Sequence, residues 1–364
     1  MIVNPIQDKK QLRTFYSIPH LVYRGNSCHR DTEETLTRLI VDGPTVFHAH
    51  ATVFPCLLWN GPHAVGRCAL IHDRKMPEFV QVAFFEALPG LQGVTDALIS
   101  AARALRTGAA KLLIGLNGHL NYGAGILLNH FDEPPVFGLP YTPPYYIEYF
   151  SGLFCRESVT FRFPLKGIFD WARKVAGTFD TRALTVRFLN KSRLREEMEL
   201  YTTIDNTSFS NTTYWYWSNR EPRENFELFH PFRFLMNAED LLIAEKDGKP
   251  VGFLLWYPDF NGLVPAGRDI NLMDVLRFRY AHPLRTTRLA EVAVLPEYRR
   301  FPVMATMLLK SLPSVEARGY ETCEGGFIFQ ENRNSMVMAQ RYFERDLGHK
   351  LDPYRRFGMY EAPL

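Results

Sequence analysis

Apolar and polar positions alternate most clearly in two stretches, and both read as hairpins. In 240–259, "DLLIAEKDGKPVGFLLWYPD", two apolar runs flank Lys246-Asp247-Gly248-Lys249, and Asp-Gly is a strong turn signal. In 45–73, "TVFHAHATVFPCLLWNGPHAVGRCALIHD", the turn falls at Asn60-Gly61-Pro62. Around these hairpins the pattern shifts between periods of two and 3.6 residues. In the second half, "LTVRFLN" (184–190) predicts a strand and "RLREEMELYTTIDNTSF" (193–209) a helix. "RLAEVAVLPEYR" (288–299) predicts a strand and "FPVMATMLLKSL" (301–312) the helix after it. "YETCEGGFIF" (320–329) predicts a strand, and "NRNSMVMAQRYFERDLG" (332–348) a helix ending at Gly348. "HKLDPYRRFGMYE" (349–361) predicts a last pair of short strands.

The first half repeats this order in outline. Two helices over 9–23 and 31–40 precede the hairpin. A strand (78–88), a helix (93–108), a strand (110–118), a short helix (143–154) and a strand (155–165) follow it. Element order thus predicts a duplication of roughly 170 residues, well beyond solenoid repeat lengths. The expected division is a first half over 1–165, a connecting segment over 166–183 ("KGIFDWARKVAGTFD" at its centre) and a second half over 184–364.

Composition narrows the class. With 364 residues, 46% hydrophobic and 22% charged, the chain should fold around a real core. A net charge of +3 is too small to argue for a nucleic-acid partner. The 14% aromatic share, with 28 Phe, suits large cores or an apolar ligand pocket. Five dispersed cysteines without a C-x-x-C pair suit reduced thiols and a cytoplasmic protein. No apolar leader core and no run of about 18 apolar residues is seen, so contact with a membrane would be peripheral.

The strand "VLPEYR" (294–299) entering a helix, within this order, resembles the Gcn5-related N-acetyltransferase (GNAT) superfamily. More narrowly, the chain resembles bacterial proteins of similar length with two tandem GNAT-like halves. Three stretches carry that likeness: "NYGAGILLNHFDEPPVFGLPYTPPYY" (121–146), "IAEKDGKPVGFLLWYPDFN" (243–261), and "VLPEYRR" with the later "ENRNSM". Proteins similar to bacterial ceramide synthases, which acylate long-chain amino lipids, fall in or near this group. The resemblance implies an α+β (α/β) fold of two tandem halves, each a mixed, mostly antiparallel sheet flanked by helices. It implies acetyl-CoA or acyl-CoA as co-substrate and an amine acceptor, a small molecule or lipid-like. It implies that Val292, Val294, Arg299, Arg300, Val303, Met304 and Asn332 contact the thioester.

One departure matters. The superfamily turn reads Arg/Gln-x-x-Gly-x-Gly/Ala, and here Arg299 is followed by Pro302 and Met304 where glycines are expected. Glycine lets the backbone approach a pyrophosphate and leaves its N–H free to donate. Pro302 removes one donor, whereas Met304 keeps its own. Arg299 and Arg300 could compensate by pairing with phosphate oxygens. The plainer alternative is a purely structural turn in a half that no longer binds CoA. Gly90 and Gly93, between a strand and a helix in the first half, are a second phosphate-compatible turn.

Acyl transfer to an amine needs a base, donors for the oxyanion and an acid for the leaving thiolate. Glu291 on the strand before the turn is the expected base; the alternative is an ion pair with Arg288. The resemblance implies Tyr342, late in the helix after Asn332, as the acid; the alternative is an amphipathic core residue. Asn332 also suits an N-cap. Asn117, Asn121, Tyr122, Asp132, Tyr141 and Tyr145 surround glycine and proline pairs in a segment too long for a plain loop. With Asp259 and Asn261 they are expected to bind the acceptor; a structural crossover and an ordinary turn are the alternatives. His48 and His50 would share a strand face, but no third ligand is evident, so no metal is expected. The leading expectation is a CoA-dependent N-acyltransferase. The other is a silent GNAT-like binding protein that has lost its donor loop.

Overall fold

The structure, a computed structural model, describes residues 1–30, 34–179, 183–209, 214–281, 284–347 and 351–364, with the side chains of 341–347 left aside. The chain forms two compact units. One comprises Met1–Ser158, Pro265–Asp269 and Arg355–Leu364; the other comprises Val159–Val264 and Ile270–Tyr354.

The first unit contains β1 (Ile2–Pro5), α1 (Lys9–Val22), α2 (Glu34–Val41), β2 (Ala51–Asn60), β3 (His63–Asp73), β4 (Phe79–Ala87), α3 (Val94–Ala104), β5 (Lys111–Ile114), β6 (Ile126–Leu127) and α4 (Tyr146–Tyr149). Strand β7 (Phe154–Pro164) begins in this unit. Strands β1 to β4 pair in antiparallel succession. Strands β4 and β5 run parallel, matching Phe79–Val82 to Lys111–Ile114. The period-2 pattern of β3 and β4 gives way to continuous burial, because helices cover the sheet. Their core gathers Leu58, Leu70, Val80, Val82, Leu98 and Leu112.

The second unit contains the rest of β7, α5 (Leu165–Ala176), β8 (Leu184–Phe188), α6 (Leu194–Ser208), α7 (Pro222–Phe229), β9 (Leu241–Lys246), β10 (Lys249–Pro258), α8 (Leu272–Ala281), β11 (Thr286–Val294), α9 (Val303–Ala317), β12 (Thr322–Phe329) and α10 (Arg333–Leu347). Strands β8 to β11 are antiparallel, and β11 runs parallel to β12 over Thr286–Leu289 and Thr322–Gly325. The mixed, mostly antiparallel sheet expected for each half is present in both.

Three details differ from the sequence reading. Residues 165–176 are helix α5, which packs on α9 within the second unit rather than serving as a bare connector. His48 lies in a 3-10 turn, Val46–Ala49, before β2 begins at Ala51. The C-terminal segment forms one strand, β13 (Arg356–Pro363), and it pairs antiparallel with β5 of the first unit.

Candidate active site

In the second unit, β11 and β12 stop pairing at Leu289 and Gly325. Beyond that point β11 keeps only its β10 neighbour, from Leu289 opposite Trp256 to Val294 opposite Gly252. A bulge at Ala290 bends the strand, because one step on β10 matches two on β11. Leu289, Ala290, Glu291 and Val292 all keep part of their surface exposed, as do Gly326, Phe327 and Ile328 of β12. The neighbouring Phe253 to Trp256 of β10 are buried. The sheet therefore opens between two parallel strands, with both walls accessible.

Glu291 sits just after the bulge. The Tyr201 hydroxyl donates to its Oε2. Burial raises the Glu291 carboxyl above the ordinary range, while hydrogen bonds with Asp205 and Tyr201 and the charges of Arg220 and Arg288 pull it back. Asp205, one helical turn from Tyr201 on α6, is fully buried. Its carboxyl is pushed well up by burial and by Glu291. The two carboxyl groups disfavour each other's charged form, and each is held above its ordinary range. Arg220 supplies the buried counter-charge, its Nε 3.7 Å from Glu224. Its backbone is clamped by Asn206, whose Oδ1 accepts from Arg220 N at 3.0 Å and whose Nδ2 donates to Arg220 O at 2.8 Å. Asn225 donates to Thr202 at 2.8 Å below this network. The charge of Arg288 is thus one contribution among several.

Sequence reasoning did not single out Tyr201, Asp205 or Arg220. A weak signal existed: Tyr201 and Asp205 stand four apart on the face of α6 that also buries Met198 and Ile204. An acid on an apolar face invites a partner.

The turn after β11 answers part of the donor question. Arg299 donates from Nε to Val294 O at 3.1 Å and from Nη2 to Ser208 O at 3.0 Å. Its guanidinium braces the strand end, which argues against a dedicated phosphate ligand. Arg300 is exposed and bonds no other described residue. Helix α9 starts at Val303, with Pro302 as its N-cap. Val303 N donates to Phe301 O at 2.8 Å and Thr306 N to Pro302 O at 2.9 Å. The amides of Met304 and Ala305 open the helix without such an acceptor among the described residues, as first-turn amides do; Met304 is partly exposed and Ala305 is buried. Asn332 caps α10, its Oδ1 accepting from Ser335 N at 3.2 Å. Tyr342 lies on α10, but its side chain is outside the described residues. Asp259 turns the chain after β10, accepting from Asn261 N at 3.2 Å, and Asn261 is buried.

The first unit has the same parting of parallel strands after Val82 and Ile114, but the chain fills it. Asn117 Oδ1 accepts from Phe84 N at 2.8 Å. Tyr146 Oη accepts from Ala87 N, and Tyr145 Oη donates to Ala87 O, both at 2.8 Å. Tyr149 donates to Leu88 O and accepts from Leu91 N, so it also occupies the Gly90–Gly93 turn. What the sequence offered as an acceptor-binding segment is largely this plug. Asn121 and Tyr122 lie apart from it, with Tyr122 packed edge-on to Phe47 at 5.8 Å. Asp132 is exposed.

Asn117 and Tyr141 do meet, in a cavity of about 50 Å³ shared with Arg67, Glu86 and His29. Glu86 accepts from Tyr23 and Tyr146, at 2.8 and 2.7 Å, and burial raises its carboxyl despite nearby Arg67. At roughly 10–15 Å³ per water, that space suits a few waters or one small head group. His50 bonds Asp73 at 2.8 Å, and no group of three or more metal-ligating side chains occurs among the described residues.

Residues 203–348 match the model of the acetyltransferase (GNAT) family. This part of the chain is similar to a GNAT domain. The chain is 27% identical over 297 residues to Protein YghO of Escherichia coli strain K12, covering 74% of this chain and 71% of that protein. A GCN5-related N-acetyltransferase from Sphaerobacter thermophilus superposes with a TM-score of 0.51 at 11% identity, over 100% of this chain and 95% of that one. A GCN5-related glucosamine N-acetyltransferase region of a fungal multi-domain GH3 beta-N-acetylglucosaminidase gives 0.54 at 12% identity, over 99% of this chain and 38% of that one. At these identities the two structures speak for the fold, which both halves of this chain share.

Proposed function

We propose that the protein is a CoA-dependent N-acyltransferase whose donor thioester lies in the opening between β11 and β12. The observation that carries this reading is Glu291: a carboxylate on a partly exposed residue, placed after a bulge, at the point where the two strands part. With its proton affinity raised, Glu291 takes a proton from the acceptor amine as the amine nitrogen attacks the thioester carbon. The carbon–sulfur bond then breaks, and the CoA thiolate leaves to be protonated. Asp205, Tyr201 and Arg220 are positioning residues for the base. The amides of Met304 and Ala305 and the side chain of Arg300 hold the pyrophosphate in place of a glycine loop. The first unit, with its strand gap filled, is not the donor half. The acceptor is an amine, and the acyl length is open.

The test uses the full chain. Acetyl-CoA and octanoyl-CoA should raise its melting temperature; a ligand at 100 times its Kd adds about 2.7 kcal/mol. Thiol release from these thioesters, screened against primary amines, should fall about a hundredfold or more in Glu291→Gln. No melt shift with any CoA thioester, or unchanged thiol release in the variant, would defeat the proposal.

A further inference from the structure

Helix α8 is apolar on both sides. Inward, Phe278 is 1% exposed. Outward, Leu272, Met273, Leu276 and Tyr280 are 73%, 70%, 39% and 84% exposed. Four large apolar side chains on a ten-residue helix are not the scatter of single residues that every surface shows. An exposed apolar cluster of this size marks a surface that is covered by something.

The surroundings indicate by what. The helix's one acid, Asp274, points inward and accepts from Asn271 N at 2.9 Å. The outward face carries Arg277, which is exposed and bonds no other described residue. Arg279 reaches from the helix to Phe234 O at 2.6 Å and Met236 O at 3.2 Å, and so fixes the neighbouring loop beside it. That loop presents Phe234, 61% exposed, with the Arg233 guanidinium 4.2 Å from its ring centre. Lys191 secures the same loop by donating to Arg233 O and Met236 O at 2.9 and 2.8 Å. Exposed apolar groups ringed by cations, with no outward acid on the helix, complement an apolar surface that carries negative charge. A two-fold contact between copies of this chain would instead set this cation-rich patch against its own copy.

We propose that α8 and the Phe234 loop form a docking face for anionic phospholipid. Leu272, Met273, Leu276, Tyr280 and Phe234 enter the head-group boundary, and Arg233 and Arg277 pair with lipid phosphates. The face goes beyond the acyl-transfer reading and stands without it, since its test reads binding alone.

Flotation of the full chain with vesicles of phosphatidylcholine, with or without about 30% phosphatidylglycerol, tests this. The protein should float with the anionic vesicles and stay behind with the neutral ones. Leu276→Glu should cut the bound fraction at least about tenfold, and Arg277→Glu roughly fivefold. Neither change touches the core, so the melting temperature and CoA-thioester binding should hold. Failure of the native chain to float, or full binding by Leu276→Glu, overturns the proposal. So does a native dimer that Leu276→Glu makes monomeric while vesicles stay unbound.

Discussion

A carboxylate that must take a proton from an amine works better as its own proton affinity rises towards the working pH. Burial raises that of Glu291, and the Tyr201 hydroxyl tempers the rise by donating to the charged form. Removing this donor in Tyr201→Phe should therefore raise the Glu291 pKa further. The acid limb of kcat/KM should move to higher pH, because Glu291 is active only when ionised. A limb that stays in place would mean that another group sets it. Asp240 shows the same physics without chemistry. It is fully buried and closes a capping box before β9. Burial, the largest effect, lifts its carboxyl to about 7. A carboxyl raised in the folded state binds protons more tightly there than in the unfolded chain. Its penalty thus appears as pH rises from about 4 to 7. Asp240→Asn should gain stability relative to the native chain across that window. Denaturant melts at its two ends would show a constant difference if the assignment is wrong.

Among the elements, the turn between β11 and α9 separates two arginines that the sequence treats alike. Arg299 holds two carbonyls. Arg299→Ala should cost about 1–2 kcal/mol of stability, at about 1 kcal/mol per hydrogen bond. Arg300→Ala should leave the melt unchanged and weaken acetyl-CoA binding severalfold. Equal effects of the two changes on the melt would remove the distinction. The hairpins, the helices around them and this turn were legible because each has a local signal: an Asp-Gly corner, an apolar stripe, a proline at a helix start. The plug in the first unit was not. Asn117, Tyr145 and Tyr146 are polar residues near glycines and prolines, which describes a binding loop as well as a strand-edge filler. Only three-dimensional pairing tells them apart. Gly125 illustrates the point. Its φ is +100°, and a Cβ there would stand 2.5 Å from Phe357 Cβ, more than 200 residues along the chain. The network of Asp205, Arg220 and Glu291 was hidden for the same reason, since its members come from three separated segments. Helix α8 went unread because its apolar residues face both ways and leave no stripe.

At the scale of the whole molecule, the duplication is visible in element order, but the chain does not divide where that order suggests. Strand β5 has β4 on one edge and β13 on the other, with Tyr360 opposite Ile114 and Ala362 opposite Leu112. Phe357 and Met359 of β13 are fully buried. Just before β13, Arg355 is 1% exposed and donates to His130 O and Glu133 O at 3.3 Å and to Pro134 O at 2.9 Å. The first unit is therefore completed by the last residues of the chain. Without them, β5 would expose a bare edge and the 129–135 loop would lose its anchor. A strand edge left open in this way is unstable and prone to association. A fragment of residues 1–165 should accordingly fail to fold cooperatively, showing a broad melt and aggregation. Fusing residues 355–364 to its end through a flexible linker should restore a sharp transition. Because the graft supplies only ten residues, recovery cannot come from general bulk; it must come from the pairing with β5. A sharp melt of the bare fragment would mean that β13 is dispensable and that the two halves fold as the sequence divides them.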